Sequence, residues 1–181
     1  SNSSLTYDVI HDIMEKDNQL WVATDGGGIN IISLDDFSFT NIQQKQDDVH
    51  SFPANTIYRL YLDSANNMWA GSIRRGLIGI RNVFACSYQN VPFGNLYGLS
   101  NQTINSFFQD SDGMVWVGTD GGGINRFDPL TGTFKHYPST MHEKVVSIVE
   151  YTPDELLFSS FNEGLFIFHK QTGRVRPFVL V

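Results

Sequence analysis

Trp21-Val22-Ala23-Thr24-Asp25-Gly26-Gly27-Gly28-Ile29-Asn30 returns, with one change, as Trp116-Val117-Gly118-Thr119-Asp120-Gly121-Gly122-Gly123-Ile124-Asn125. A decapeptide repeated inside one chain makes internal duplication the first thing to test. Aligning on the two tryptophans extends the match to four units. Unit one carries Val9, Trp21 and Gly28; unit two Ile57, Trp69 and Gly76; unit three Ile104, Trp116 and Gly123. Unit four carries Val145, Leu157 in the tryptophan position, and Gly164. In this alignment the offsets of twelve and seven hold throughout, and successive units begin 48, 47 and 41 residues apart.

Each unit reads as four short strands. In unit three these are 104–109, 115–119, 124–128 and 133–137, mostly apolar or aromatic, as strands covered on both faces should be. Asp110-Ser111-Asp112-Gly113, Asp120-Gly121-Gly122-Gly123 and Pro129-Leu130-Thr131-Gly132 punctuate them as turns. Unit four repeats the third turn as Lys170-Gln171-Thr172-Gly173 before a last strand over 174–179. No stretch has a helical period, and only the linkers 43–53, 90–100 and 138–143 lack strand character. A four-stranded unit repeated every 40 to 50 residues is the pattern of a β-propeller blade, whose faces are covered only by stacking. The expected architecture is all-β: a β-propeller segment of four four-stranded antiparallel blades. The blades fall at 6–53, 54–100, 101–142 and 143–181, behind a leader over 1–5.

Bulk composition agrees and narrows the function. The 181 residues include 41% hydrophobic and 17% charged side chains, enough to build a core. A net charge of −7, with no basic cluster larger than Arg74-Arg75, argues against nucleic acid as partner. Cys86 is the lone cysteine, so no internal disulfide forms, and it reads as a small buried apolar residue. No apolar run is long enough to span a membrane, so no membrane contact is expected. Ser1-Asn2 reads as a tag-cleavage scar, which would make the chain an excised piece.

The strand followed by Asp-x-Asp-Gly-x-x-Trp-Val-Gly-Thr and Gly-Gly-Gly-Ile-Asn-Arg-Phe-Asp resembles the two-component regulator propeller repeat. Residues 109–128 carry the resemblance nearly throughout, unit one closely, unit two loosely and unit four weakly. The resemblance implies a segment of the periplasmic sensor region of a Bacteroides-type hybrid two-component histidine kinase, responding to an oligosaccharide. Family members carry many more such units, followed by a membrane helix and a kinase. None of those elements is in this chain, so kinase activity belongs to the parent protein.

Catalytic readings are weak. A phosphate-binding glycine loop leads into a helix, whereas Asp-Gly-Gly-Gly here leads into a strand. The expectation is a tight turn in which only the last glycine is demanded by geometry, since Ile73-Arg74-Arg75-Gly76 and Phe161-Asn162-Glu163-Gly164 keep only that one. Asp110-Ser111-Asp112-Gly113 lacks the spacing of a calcium loop and reads as an Asx-type turn. His11, His50, His136, His142 and His169 have no metal-ligand spacing, and no nucleophile motif is present. No cofactor, no metal and no catalytic residue is expected. The three tryptophans are expected between blades.

Binding is the remaining reading. In a four-stranded meander the second turn and the linker to the next blade share one end, which gathers Asp25, Arg74, Arg75, Asp120, Asn162 and Glu163. Tyr97 joins them from a linker, with His50, Phe52, Phe93, Asn95 and Asn101 as lesser candidates. Arg74 and Arg75, standing where the twin stretches carry Gly-Gly, suit a carboxylate or sulfate on an acidic glycan. The alternatives are a scaffold that holds a receptor dimer together, and a lyase or sialidase-type enzyme. End blades with open apolar faces lead us to expect self-association.

Overall fold

The apolar runs pair into four sheets in the computed structural model, which describes residues 4–46, 51–81, 84–89 and 91–179. Blade one contains β1 (Ile10–Lys16), β2 (Gln19–Thr24), β3 (Ile29–Ser33) and β4 (Phe39–Ile42). Blade two contains β5 (Ile57–Leu62), β6 (Met68–Ser72), β7 (Leu77–Arg81) and β8 (Phe84–Tyr88). Blade three contains β9 (Ile104–Gln109), β10 (Val115–Thr119), β11 (Ile124–Asp128) and β12 (Thr133–His136). Blade four contains β13 (Val145–Thr152), β14 (Glu155–Ser160), β15 (Gly164–His169) and β16 (Val175–Pro177). Every sheet keeps its strands in chain order. The protein is all-β, a β-propeller segment of four antiparallel blades. Among the described residues the only helical element is a 3₁₀ turn over Pro138–Thr140, in the last linker. β12 and β16 are shorter than the sequence suggests. Ser1, Asn2 and His50 lie outside the described residues, and Cys86 falls in β8.

The chain divides into two compact units, residues 1–87 and 88–181. In the first, Trp21, Ala23 and Ile29 of blade one pack with Ile57 and Leu60 of blade two. In the second, Trp116, Ile124 and Tyr137 of blade three pack with Val145, Ile148 and Leu156 of blade four. Trp116 is fully buried, stacked on Tyr137 at 5.7 Å and edge-on to Phe168 at 5.7 Å. Such offset and T-shaped pairs add stability beyond the area they bury. The tryptophans are core, as their periodic placement implies.

The ladder corrects the alignment of unit one by a residue. Ile57, Ile104 and Val145 lie opposite Ser72, Thr119 and Ser160, but Ile10, not Val9, lies opposite Thr24. The same slip appears in the turn hydrogen bonds: the amides of Asp25, Ile73, Asp120 and Phe161 donate to the carbonyls of Val9, Thr56, Thr103 and Lys144. The cause is a shorter first hairpin. β1 and β2 are joined by Asp17-Asn18 alone, both at positive φ (51° and 60°), as a two-residue twisted turn requires. Val9 and Ile10 are both apolar, so the pattern alone could not tell them apart. All four inner strands share a bulge one residue further on, between Ile10/Asp12, Ile57/Arg59, Ser106/Ile104 and Val145/Ser147. The bulge frees a backbone amide, and Asp12 shows how that is answered. Its Oδ1 accepts from Ile13 N at 3.0 Å and its Oδ2 from Leu60 N of blade two at 2.9 Å.

Candidate functional site at the blade turns

The glycine turns spend their amides on the protein itself. Gly26 N and Gly28 N both donate to Asn55 O, at 3.0 and 2.7 Å. Gly121 N and Gly123 N both donate to Glu143 O, at 3.1 Å each. In each case the acceptor is the carbonyl just ahead of the next blade's first strand, so the turn is a joint between blades and not an anion cradle. The strand's last hydroxyl completes it: Thr24 and Thr119 Oγ1 donate to Gly28 O and Gly123 O at 2.9 Å, and Ser72 Oγ to Gly76 O at 3.1 Å.

Two positions of the turn, not one, have left-handed backbone. The last is glycine throughout, with φ of 72°, 71°, 72° and 96° at Gly28, Gly76, Gly123 and Gly164. The first is Gly26, Arg74, Gly121 and Asn162, with φ of 114°, 69°, 92° and 69°. Arginine and asparagine therefore occupy the strained region there, at a modest cost that asparagine bears more easily. The middle glycine has a different reason. A Cβ on Gly27 would come within 2.4 Å of Thr6 Oγ1, and one on Gly122 within 2.6 Å of Asn101 Cβ and Ser100 Oγ. Thr6 and Ser100 belong to the chain entering each blade, and they are held there by Asn30 and Asn125. Middle glycine and asparagine thus form one latch. Blades one and three have both; blades two and four have neither, with Arg75 and Glu163 in place of the glycine and Ile78 and Phe166 in place of the asparagine.

A second constellation lies between blades three and four. Asp110 is buried in the β9–β10 turn, where its Oδ1 accepts from Asp112 N and Met114 N. Its Oδ2 accepts from Trp116 Nε1 at 2.7 Å and lies 3.2 Å from Lys170 Nζ of blade four. Lys170 also pairs with Glu150. Burial alone would lower the Lys170 pKa, but the two carboxylates outweigh it and raise it. The bond from Lys170 holds Glu150 below the usual carboxylate range. Burial pushes the Tyr137 phenol, beside this network, up to about 12. Asp63 does the same work in blade two, accepting from Trp69 Nε1 at 2.9 Å. Burial would raise its pKa; the bonds from Trp69, Asn67 and Ala65 prevail and lower it. The sequence signal was an aspartate six residues before tryptophan, present in units two and three and missing from unit one. There Trp21 Nε1 is buried with no partner.

The sequence-predicted binding residues divide between the two units. In the first, Asp25 sits in a bridge to Thr56, its carboxylate 3.9 Å from His11 Nε2, and Arg74 and Arg75 are both exposed. Neither guanidinium has an acidic partner among the described residues. In the second, Asp120 bridges to Lys144, 3.4 Å from its Nζ, while Asn162 and Glu163 are exposed in the blade-four turn. Phe52 is buried, Phe93 is exposed, and Asn101 Oδ1 caps Thr103 N. Tyr97, 74% exposed, does not lie at the turn end. Its linker runs along β12, where Leu96 O accepts from Phe134 N. His136, which sequence spacing marks for no role, holds that linker: Nδ1 accepts from Gly94 N and Nε2 donates to Gly98 O. A depression of about 230 Å³ opens there, lined by Leu96, Arg126, Asp128, Thr133, Phe134 and Lys135. Among the described residues no three His, Cys, Asp or Glu side chains gather as metal ligands, and no helix is long and apolar enough to cross a membrane.

Blades, joints and turns of this kind define a β-propeller. Within it, residues 51–74 and 98–121 match the family model of the two component regulator propeller. Both matches end at the glycine turn and include the Asp63/Trp69 and Asp110/Trp116 pairs. Unit two is therefore matched and unit one is not, the reverse of the order its turn sequence suggests. The extracellular domain of a hybrid two component system from B. thetaiotaomicron superposes with a TM-score of 0.81 at 24% identity, over 97% of this chain and 25% of that one. A second such domain from that organism gives 0.68 at 21% identity, over 92% and 23%. Virginiamycin B lyase from Staphylococcus aureus gives 0.71 at 16% identity, over 95% and 56%. At these identities the likeness is one of fold. The chain spans about a quarter of the length of those two extracellular domains. No curated protein matches it.

Proposed function

We propose that this chain is a ligand-sensing, non-catalytic segment in the periplasmic part of a hybrid two-component sensor kinase, and that its ligand is an acidic oligosaccharide. The family-model match and the extracellular domains of hybrid two component systems that share this fold support the setting. The observation that carries the ligand class is the blade-two turn. That turn is closed by its own backbone and by Ser72, so the side chains of Arg74 and Arg75 are not needed to close it. They put two exposed guanidinium groups, without an acidic partner among the described residues, at adjacent positions. Planar guanidinium forks pair with carboxylate and sulfate in two-point contacts. Binding acts by favouring one geometry of a larger receptor, which a kinase elsewhere in the parent reads.

Calorimetric titration of acidic and neutral oligosaccharides into the complete sensor region tests this. An acidic ligand should bind, and Arg74→Ala/Arg75→Ala should weaken it by at least tenfold while thermal unfolding stays unchanged. Unaltered affinity in the double variant would overturn the Arg-pair site. Turnover of the oligosaccharide would overturn the non-catalytic reading.

A further inference from the structure

Blade three sets two cations opposite each other. Trp116 pairs across the sheet with Arg126, and Arg126 with Lys135. The corresponding outer pairs are Ile31 with Thr40 in blade one and Ile167 with Arg176 in blade four. Like charges at directly opposed positions destabilise a sheet. Among the described residues neither Arg126 nor Lys135 forms an ion pair that would offset this. Asp128, two residues along the same face, gives its Oδ1 to Leu130 N and Thr131 N. Lys135 Nζ lies 4.9 Å from the centre of the Tyr137 ring, a π partner that brings no counter-charge.

Both cations line the depression of about 230 Å³, together with Leu96, Asp128, Thr133 and Phe134. Its Leu96 side is pinned to blade three at three points, since Gly94 N and Gly98 O bond to His136 and Leu96 O accepts from Phe134 N. The volume lies below the roughly 300–1,000 Å³ of pockets for drug-sized ligands, so it suits one small molecule and not a chain of them. We propose that the depression is a binding site for a small hydroxylated organic acid, the size of a single sugar acid. Arg126 and Lys135 hold its carboxylate, and Asp128 and Thr133 meet its hydroxyls. The bound carboxylate supplies the counter-charge that the opposed cations lack, and Leu96 and Phe134 give its carbon frame an apolar wall. This site uses neither Arg74 nor Arg75.

Titration of D-glucuronate into this chain, followed by backbone amide shifts, tests this. Saturable shifts should gather at residues 126, 128 and 133–135, and glucose, which lacks the carboxylate, should produce none. Lys135 is exposed, so Lys135→Glu should leave the strand signal in circular dichroism unchanged while weakening glucuronate by about tenfold or more. Lys135→Arg should retain binding. The Arg74→Ala/Arg75→Ala variant should respond as the unsubstituted chain does, which keeps this site distinct from the blade-two turn. The absence of saturable shifts at these residues overturns the proposal, as does an equal response to glucose. Unaltered affinity in Lys135→Glu, or loss of the response in Arg74→Ala/Arg75→Ala, overturns it too.

Discussion

Trp21 and Trp116 sit in decapeptides that differ at one residue, in the second strands of blades one and three, yet live in different chemistry. Trp116 donates its indole N–H to a buried aspartate that also meets Lys170 of the next blade, whereas Trp21 has an N–H with no partner. Their backbones agree down to the two hydrogen bonds that each glycine turn gives a neighbouring carbonyl. The local sequence therefore fixes the turn, and the environment of the side chain comes in part from residues as distant in sequence as Phe168 and Lys170.

Breaking the network around Trp116 should have the largest effect. Asp110→Ala leaves a buried ammonium and an indole N–H short of an acceptor, and should cost the second compact unit, residues 88–181, about 3–5 kcal/mol. Trp116→Phe should cost about 2 kcal/mol more than Trp21→Phe, which forfeits no hydrogen bond. Denaturant titration followed by site-resolved hydrogen exchange reads each unit separately.

The last glycines come next. In Gly28→Ala and Gly123→Ala the new Cβ would lie 2.2 Å from Ile42 O and 2.1 Å from Thr140 O, at a φ of 72°. Each should lose about 3 kcal/mol. Gly164 has the same handedness but nothing within 4 Å of a Cβ, so Gly164→Ala should lose about 1 kcal/mol.

Alkali should separate the units more gently. Lys170 and Tyr137 both have raised pKa values, Tyr137 up to about 12. The stability they contribute is complete below their ordinary values and is lost as pH rises through the folded ones. Exchange protection in blades three and four should therefore fall first above about pH 10. Asp63 and Glu150 run the other way, contributing above the ordinary carboxylate range and losing it as pH falls through their lowered values. Smallest of all, Arg74→Gly relieves a left-handed arginine and should stabilise by about 0.5–1 kcal/mol. No gain in thermal midpoint would show that this turn bears no strain.

The blade count, the strand runs and the role of the tryptophans were legible because covered strands leave continuous apolar runs with turn residues between them. The one-residue slip in blade one was not, since Val9 and Ile10 are interchangeable to any hydropathy pattern. Only the ladder opposite Thr24 distinguishes them. The Asp110–Lys170 pair was hidden for another reason: its members are sixty residues apart and meet only after two blades have stacked. Arg74 and Arg75 were visible as exceptions to a repeat. That a left-handed residue also occupies the first turn position was not, because arginine there masks the requirement that glycine would have advertised.

The carbonyls of Asn55 and Glu143 each close a joint between blades with backbone alone. Main-chain atoms supply these hydrogen bonds, and Gly27 and Gly122 leave the room that the chain entering each blade fills. The turns that carry Arg75 and Glu163 in the middle position belong to blades two and four. A substitution that adds bulk at Gly27 or Gly122 would therefore loosen a joint through sterics while leaving every donor and acceptor of it in place.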